Sequence, residues 1–84
     1  MARGTLRFWA AAKAAAGVAE EEYDAPTLAD ALRAAQSAHG DALTKVIARS
    51  TFVVDGNPVG GRAHEGVLLT EGGTVEVLPP FAGG

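Results

Sequence analysis

Apolar and polar residues alternate along the first stretch of the chain, which predicts a β-strand over Thr5–Ala10. Leu6, Phe8 and Ala10 fall on one face of this strand, and Trp9 falls on the opposite face. Because a single helix covers only one face of a small sheet, the pattern places Trp9 on the uncovered face.

Two short elements are predicted next. Ala11–Ala16 is an alanine-rich segment that predicts a helical turn, and Gly17 ends it because glycine readily adopts the left-handed conformation. Glu20–Asp24 predicts an acidic strand at an edge of the sheet, where charged side chains discourage pairing with another chain.

One main amphipathic helix is predicted to start at Thr27, whose hydroxyl can cap the first backbone amides. Asp30 follows near the positive end of the helix dipole, and Gly40 ends the helix. Its apolar residues recur at the spacing of one helical face: Leu28, Ala31, Leu32 and Ala35. Asp41–Ala48 predicts a second, shorter helix.

The second half of the chain predicts extended segments separated by turns. Thr51–Val54 is a strand, and Asp55–Pro58 is a turn. A loop over 60–66 leads to a short extended piece at Val67–Thr70. Thr74–Leu78 is the final strand, and it continues directly into the last residues of the chain.

This order of elements predicts an α+β domain with two layers, a small mixed sheet with one main helix packed across one face. The first and last strands are expected to be neighbours at the centre of the sheet. Residues 1–78 are expected to form the domain, and 79–84 an extended tail of the same domain. Phe52, Val53 and Val54 make their strand apolar on both faces, so the uncovered face, with Trp9, is expected to expose aromatic and aliphatic area to a partner.

The charge pattern argues against two classes of partner. The net charge is −3, and the seven basic residues form no stripe along the sequence: Arg3, Arg7, Lys13, Arg33, Lys45, Arg49 and Arg62. We therefore expect no binding to nucleic acid or to a membrane surface. No segment resembles a signal peptide or a membrane span, so a cytoplasmic location is expected.

Few residues suggest catalysis. The chain has no cysteine, which excludes disulfides, thiolate metal sites and cysteine nucleophiles. His39 and His64 are isolated and are expected on the surface, so no metal site is predicted. Gly60-Gly61 and Gly72-Gly73 lack the lysine and hydroxyl of a phosphate loop and are expected to be turns. The chain therefore looks like a substrate of other proteins rather than a catalyst.

The most informative chemistry lies at the end of the sequence. Pro79 and Pro80 favour an extended backbone, and Gly83 and Gly84 follow three residues later. A terminal Gly-Gly presents a main-chain carboxylate with no side chain beside it. Such a carboxylate can enter a narrow active site in another protein, because glycine allows close approach of the backbone.

The chain resembles the MoaD/ThiS family of ubiquitin-like sulfur carriers over essentially its whole length, and MoaD members most. The segments that carry the resemblance are the tail Leu78–Gly84, the preceding Glu71–Val77, the Val54–Gly56 turn and the opening Phe8–Lys13. The Pro-Pro-Phe-Ala-Gly-Gly ending is the most specific of them. The resemblance implies the ubiquitin-like β-grasp fold.

Two positions depart from the family pattern. Gly73 stands where members usually carry Asp, and Asp55 stands where they commonly carry Asn. Both are turn positions, so the chemistry of the tail is unaffected.

The resemblance implies a role in molybdenum cofactor (molybdopterin) biosynthesis. A MoeB-like enzyme would use ATP to adenylate the carboxylate of Gly84. Sulfur from a desulfurase or rhodanese-like donor would then replace AMP and leave a thiocarboxylate. As the small subunit of molybdopterin synthase, the chain would insert this group into a MoaE-like large subunit and donate sulfur to cyclic pyranopterin monophosphate. No bound cofactor is implied.

The resemblance also assigns roles to residues near Gly84. Gly83 would provide clearance in a narrow channel, because a Cβ there would collide with its walls. Phe81 would anchor the tail in an apolar pocket of the partner, and Ala82, Pro80 and Trp9 would contribute to the same contact.

Three alternatives remain at this point. The thiocarboxylate could serve the synthesis of thiamine, cysteine or a specialised metabolite. Alternatively, Gly84 could be joined to lysines of other proteins, as in a ubiquitin-like modifier, since that chemistry also begins with adenylation. The third alternative is an interaction domain with no chemistry at its tail.

Overall fold

The computed structural model describes residues 2–80, so Met1 and Phe81–Gly84 lie outside the described residues. The strands are β1 (Arg3–Phe8), β2 (Glu20–Asp24), β3 (Thr51–Val54), β4 (Asn57–Pro58) and β5 (Thr74–Leu78). The α-helices are α1 (Ala10–Ala16), α2 (Leu28–His39) and α3 (Asp41–Ala48), and a 3₁₀ helix spans His64–Gly66.

The five strands form one mixed sheet in the order β2-β1-β5-β3-β4. The first and last strands pair in parallel at its centre, with Leu6 opposite Val75 and Phe8 opposite Val77. The other pairings are antiparallel. The predicted neighbourhood of the first and last strands and the predicted edge position of the acidic strand are therefore both confirmed.

Helix α2 covers one face of this sheet, as its apolar spacing predicts. The Thr27 hydroxyl accepts a hydrogen bond from the backbone amide of Asp30 at 3.2 Å, which is the predicted cap. The four residues of the predicted helical face are all buried: Leu28, Ala31, Leu32 and Ala35. The largest fully buried side chains of the core are Phe8, Leu6, Leu28, Leu43, Val75 and Val77.

The first strand ends two residues earlier than predicted. It stops at Phe8, and Ala10 begins helix α1 with a positive φ of 48°. Ala10 is exposed rather than part of the core face. The physical reason lies in Trp9, whose amide still donates to the Val77 carbonyl while its own carbonyl already accepts from the amide of Ala12. The alanine run after it strongly favours helix.

Two further segments differ from the prediction. The turn predicted over 55–58 consists of Asp55 and Gly56 alone, both at positive φ, and β4 begins directly after it. The predicted short strand Val67–Thr70 does not join the sheet. Its Leu68 makes one isolated bridge to Thr27, because this segment crosses the start of α2 instead of an open sheet edge.

A cluster of hydrogen bonds joins the turns at the end of the sheet where β5 begins. One Asp55 carboxylate oxygen accepts from the amide of Thr74 at 2.8 Å, and the other accepts from the hydroxyl of Thr70 at 2.7 Å. The Tyr23 hydroxyl donates to the Thr70 carbonyl at 2.6 Å. A Cβ on Gly73 would contact Asp55, Thr70 and Tyr23 together. The two departures from the family pattern, at 55 and 73, therefore meet in one place.

Gly73→Ala tests this close packing. The added Cβ would lie 2.5 Å from the Asp55 carboxylate, so we expect the free energy of unfolding to fall by about 1–3 kcal/mol. Gly61→Ala is the matched control, because a Cβ there meets no atom within 4 Å. Urea unfolding of both variants measures the difference. An equal effect of the two substitutions would contradict the packing described above.

Tyr23 provides a pH-dependent test of the same cluster. Burial, followed by the nearby Asp55 carboxylate, raises the pKa of Tyr23 above its ordinary value of 10.0. The unfolded chain therefore releases this proton at a lower pH than the folded chain, and stability is lost as pH rises above about 10. Tyr23→Phe should cost about 1 kcal/mol at neutral pH through the lost hydrogen bond. Urea unfolding across pH should show wild type and variant converging above pH 10; a constant difference would contradict this.

Candidate functional site

An apolar groove lies at the end of the sheet where the tail begins. Because β1 and β5 are parallel, the end of β1 and the end of β5 lie side by side. The groove has a volume of about 490 Å³. We call it the tail-base groove, and its lining residues are Trp9, Ala10, Arg49, Thr51, Leu78, Pro79 and Pro80.

Trp9 forms one wall of the tail-base groove and is held in place by three contacts. Its indole Nε1 donates to the Glu76 carboxylate at 3.1 Å. Its backbone amide donates to the Val77 carbonyl at 3.2 Å. The guanidinium carbon of Arg7 lies 5.6 Å from the indole ring centroid, within the range of a cation–π contact. The indole is 43% exposed, so a fixed aromatic surface faces solvent beside the tail.

The sheet face that the helices leave uncovered is more polar than the sequence predicted. Apart from Val53, Pro58 and Leu78, the strand residues that face away from the helices are polar: Arg3, Thr5, Arg7, Glu20, Glu22, Asp24, Thr51, Thr74 and Glu76. Arg7 and Glu20 form an ion pair at 2.9 Å on this face. At the tail end of this face the apolar residues are Leu78 and Trp9, and Trp9 lies beyond the strand rather than within it.

The structure places two of the predicted site residues together. Trp9 and Pro80 both line the tail-base groove. Phe81, Ala82, Gly83 and Gly84 lie outside the described residues, so their roles stay predictions.

Other groove residues were not singled out from the sequence. Leu78 and Pro79 directly precede Pro80, and the expected continuity of strand and tail was the signal that could have identified them. Arg49 had no such signal, because it follows α3 and reaches the groove only through tertiary packing.

The two histidines correct the expectation that both are surface residues. His39 is half-buried, with Nε2 lying 2.6 Å from a Glu21 carboxylate oxygen and its ring edge-on to Phe8. His64 packs edge-on against Phe52 with ring centroids 5.1 Å apart. Each ring therefore covers an aromatic core residue. Within residues 2–80, no group of three or more His, Asp or Glu side chains is placed to hold a metal ion.

Two further expectations concern the glycine pairs and membrane spans. Gly60 and Gly72 adopt positive φ in turns, as expected for both glycine pairs. Across residues 2–80, the helices are too short or too polar to cross a membrane.

Comparisons with known proteins identify the class and then the family. The fold is the expected ubiquitin-like β-grasp fold, as similar solved structures show. The chain belongs to the ThiS family, whose model matches residues 6–84, and the resemblance to the MoaD/ThiS group is thereby confirmed. A search of curated proteins finds no match.

Three solved structures illustrate the likeness. Small archaeal modifier protein 1 from Methanosarcina acetivorans is 22% identical with a TM-score of 0.85, covering 100% of this chain and 98% of that one. A putative molybdopterin converting factor subunit 1 from Pyrococcus furiosus is 21% identical, with a TM-score of 0.78 and coverages of 96% and 100%. A chain in the complex of subunits 1 and 2 of molybdopterin-converting factor from Helicobacter pylori is 20% identical, with a TM-score of 0.68, covering 98% of this chain and 99% of that one. At these identities, the likeness shows the fold alone.

Burial separates the groove from the core at two adjacent residues. Leu78 is half-buried in the groove, whereas Val77 is fully buried. Leu78→Ala is therefore expected to cost less than about 1 kcal/mol in unfolding free energy, and Val77→Ala about 2 kcal/mol or more. Urea unfolding of the two variants measures both values. A larger loss for Leu78→Ala would show that the groove wall is part of the core.

Proposed function

We propose that this chain is a sulfur carrier for molybdopterin synthesis, loaded at Gly84 by an adenylating enzyme. The observation that carries the proposal is the path of β5, which leaves the centre of the sheet through Pro79 and Pro80 at a groove with an exposed aromatic wall. The match to the ThiS family extends to residue 84 and supports a functional tail. The chain serves as substrate and sulfur donor, and the partner enzymes supply catalysis.

The chemistry at Gly84 begins with activation, because a carboxylate is a poor electrophile. An oxygen of the carboxylate attacks the α-phosphorus of ATP, and pyrophosphate leaves. Sulfide then attacks the acyl carbon, and AMP leaves; where a desulfurase or rhodanese-like protein delivers the sulfur as a persulfide, a thiol reductant must release it as sulfide. The product is a thiocarboxylate, which is a sulfur nucleophile at neutral pH. Because the chain has no cysteine, it cannot carry sulfur as a persulfide on a side-chain thiol. The carboxyl group of Gly84 is then the attachment point for sulfur in this proposal.

The tail residues determine how this group reaches an active site. Residues 81–84 span roughly 13 Å when extended. Gly83 lets the backbone pass through a narrow channel without a Cβ. Phe81 and Ala82 provide apolar contacts in that channel, and Phe81 is the larger anchor.

The tail-base groove would supply most of the contact between this chain and a partner enzyme. Trp9 and Pro80 present apolar surface beside the emerging tail, so a partner that takes the tail also covers the groove. A MoeB-like adenylating enzyme and a MoaE-like large subunit would therefore compete for the same surface. The similar Helicobacter pylori structure is itself described as a complex of subunits 1 and 2 of molybdopterin-converting factor. Mutually exclusive binding would separate sulfur loading from sulfur delivery.

A second candidate function is protein modification. The similar structure from Methanosarcina acetivorans is that of a small archaeal modifier protein. In this role, the activated Gly84 would form an amide with a lysine amine of another protein. Thiocarboxylate carriers for thiamine, cysteine or a specialised metabolite share the loading step and differ in the acceptor.

Deletion of Gly84 tests the loading step. The variant is expected to lose sulfur loading completely while keeping its melting temperature within about 2 °C, because the last described strand ends at Leu78, six residues before Gly84. Intact-mass measurement after incubation with the adenylating enzyme, ATP and sulfide should show a gain equal to one oxygen replaced by sulfur in wild type. Addition of one alanine after Gly84 tests the position of the carboxylate separately, since this variant keeps both glycines but displaces the carboxylate.

Each outcome separates the candidates. A mass gain in wild type but not in the deletion variant supports a sulfur carrier. Transfer of that sulfur to cyclic pyranopterin monophosphate in the presence of the large subunit identifies the molybdopterin pathway. Higher-mass conjugates in a cell extract that disappear with Gly84 deletion would favour the modifier. Unchanged wild-type mass with a competent adenylating enzyme would contradict the proposal.

A further inference from the structure

Three cations belong to the two helices that border the tail-base groove, or to the cap of one of them. Arg49 lines the groove itself. Lys45 is exposed in the last turn of α3, four residues before Arg49, which is the C-cap of that helix. Lys13 is exposed on α1, one turn after the groove residue Ala10. Each of the three cations thus lines the groove or lies within one helical turn of a residue that does. We call them the basic rim.

The other basic residues are held by groups elsewhere in the fold. Arg3, Arg7 and Arg33 pair with carboxylates of Asp24, Glu20 and Asp30. Arg62 donates to the backbone carbonyls of residues 58 and 59. None of the ion pairs formed among residues 2–80 includes Lys13, Lys45 or Arg49. In a chain with a net charge of −3, these three cations therefore keep positive charge at or near the groove that no carboxylate among residues 2–80 pairs with.

We propose that the tail-base groove and its basic rim bind a protein surface that presents an apolar side chain bordered by carboxylates. The inference rests on the proposed function, and the surface belongs to the enzyme that adenylates the tail. The apolar side chain packs against Trp9 and Pro80, and the carboxylates face the rim. Both parts follow from complementarity, since apolar contact gives affinity while opposite charges orient the encounter.

The rim also explains how an acidic chain can approach an acidic enzyme. The overall charge of −3 would repel such a surface from most directions. The three cations make the tail end the attractive one, so the encounter places the tail towards the active site. Long-range attraction of this kind acts mainly on association and weakens with salt.

A pair of double variants with the same change in net charge tests the inference. Lys45→Gln with Arg49→Gln removes two charges from the rim. Arg3→Gln with Arg33→Gln removes two charges from residues that lie outside the groove lining and are equally exposed. Pyrophosphate release by the adenylating enzyme purified from the same organism is followed at varied carrier concentration, at low and at high salt.

The rim variant is expected to raise the KM for the carrier about 5- to 20-fold at low salt, with the loss in KM rather than kcat. At high salt the difference should shrink to less than about threefold, and the control should stay within twofold of wild type. Thermal melts confirm folding, and Lys13→Gln with Lys45→Gln replaces the rim variant if that variant unfolds.

The outcomes distinguish the inference from the function on which it rests. Equal KM values for the two double variants would overturn the basic rim while leaving the sulfur-carrier function intact. A rim effect that does not change with salt would also overturn it, because charge complementarity would not be the cause. Failure of the enzyme to adenylate wild type would overturn the proposed function and, with it, this inference.

Discussion

The parallel pairing of β1 with β5 is the contact on which the rest of the molecule depends. It joins the beginning of the chain to its end, and it places the fully buried Val75 and Val77 at the centre of the core. Because the two strands run in the same direction, they also finish at the same end of the sheet. Trp9 and Pro79 are therefore neighbours through backbone geometry, although they are about seventy residues apart in the sequence. One pairing thus creates both the core and the surface beside the tail.

The start of β5, at the end of the strand opposite the groove, is fixed by hydrogen bonds. Asp55 accepts hydrogen bonds from Thr70 and from the backbone of Thr74, and it fixes the turn that leads into the strand. Gly73 fits there because it has no Cβ. A strand anchored at its start by polar contacts and along its length by the core can hold Pro79 and Pro80 in a constant direction. This arrangement meets the main requirement of a tail that must enter an active site, which is a fixed point of origin.

Local patterns in the sequence were sufficient for most of the fold. The spacing of Leu28 and its apolar partners predicted α2, and the cap at Thr27 is the one observed. The predictions were wrong or incomplete where tertiary contacts determine the local structure. Alternation continued past Phe8 to Ala10, but helix propensity and the hydrogen bonds of Trp9 ended the strand. The contribution of Arg49 to the groove could not be predicted, because it depends on the packing of α3 beside the sheet.

The short tail restricts the geometry of any partner that occupies the groove. Under the proposed function, residues 81–84 would span at most roughly 14 Å, so the carbonyl carbon of Gly84 would lie no farther than about this distance from Pro80. A partner seated on Trp9 must then place its active site within that distance of the contact. A flat enzyme surface cannot meet this condition unless its active site opens beside the docking surface. Two enzymes acting in turn on one carrier would therefore share this layout even if their folds were unrelated.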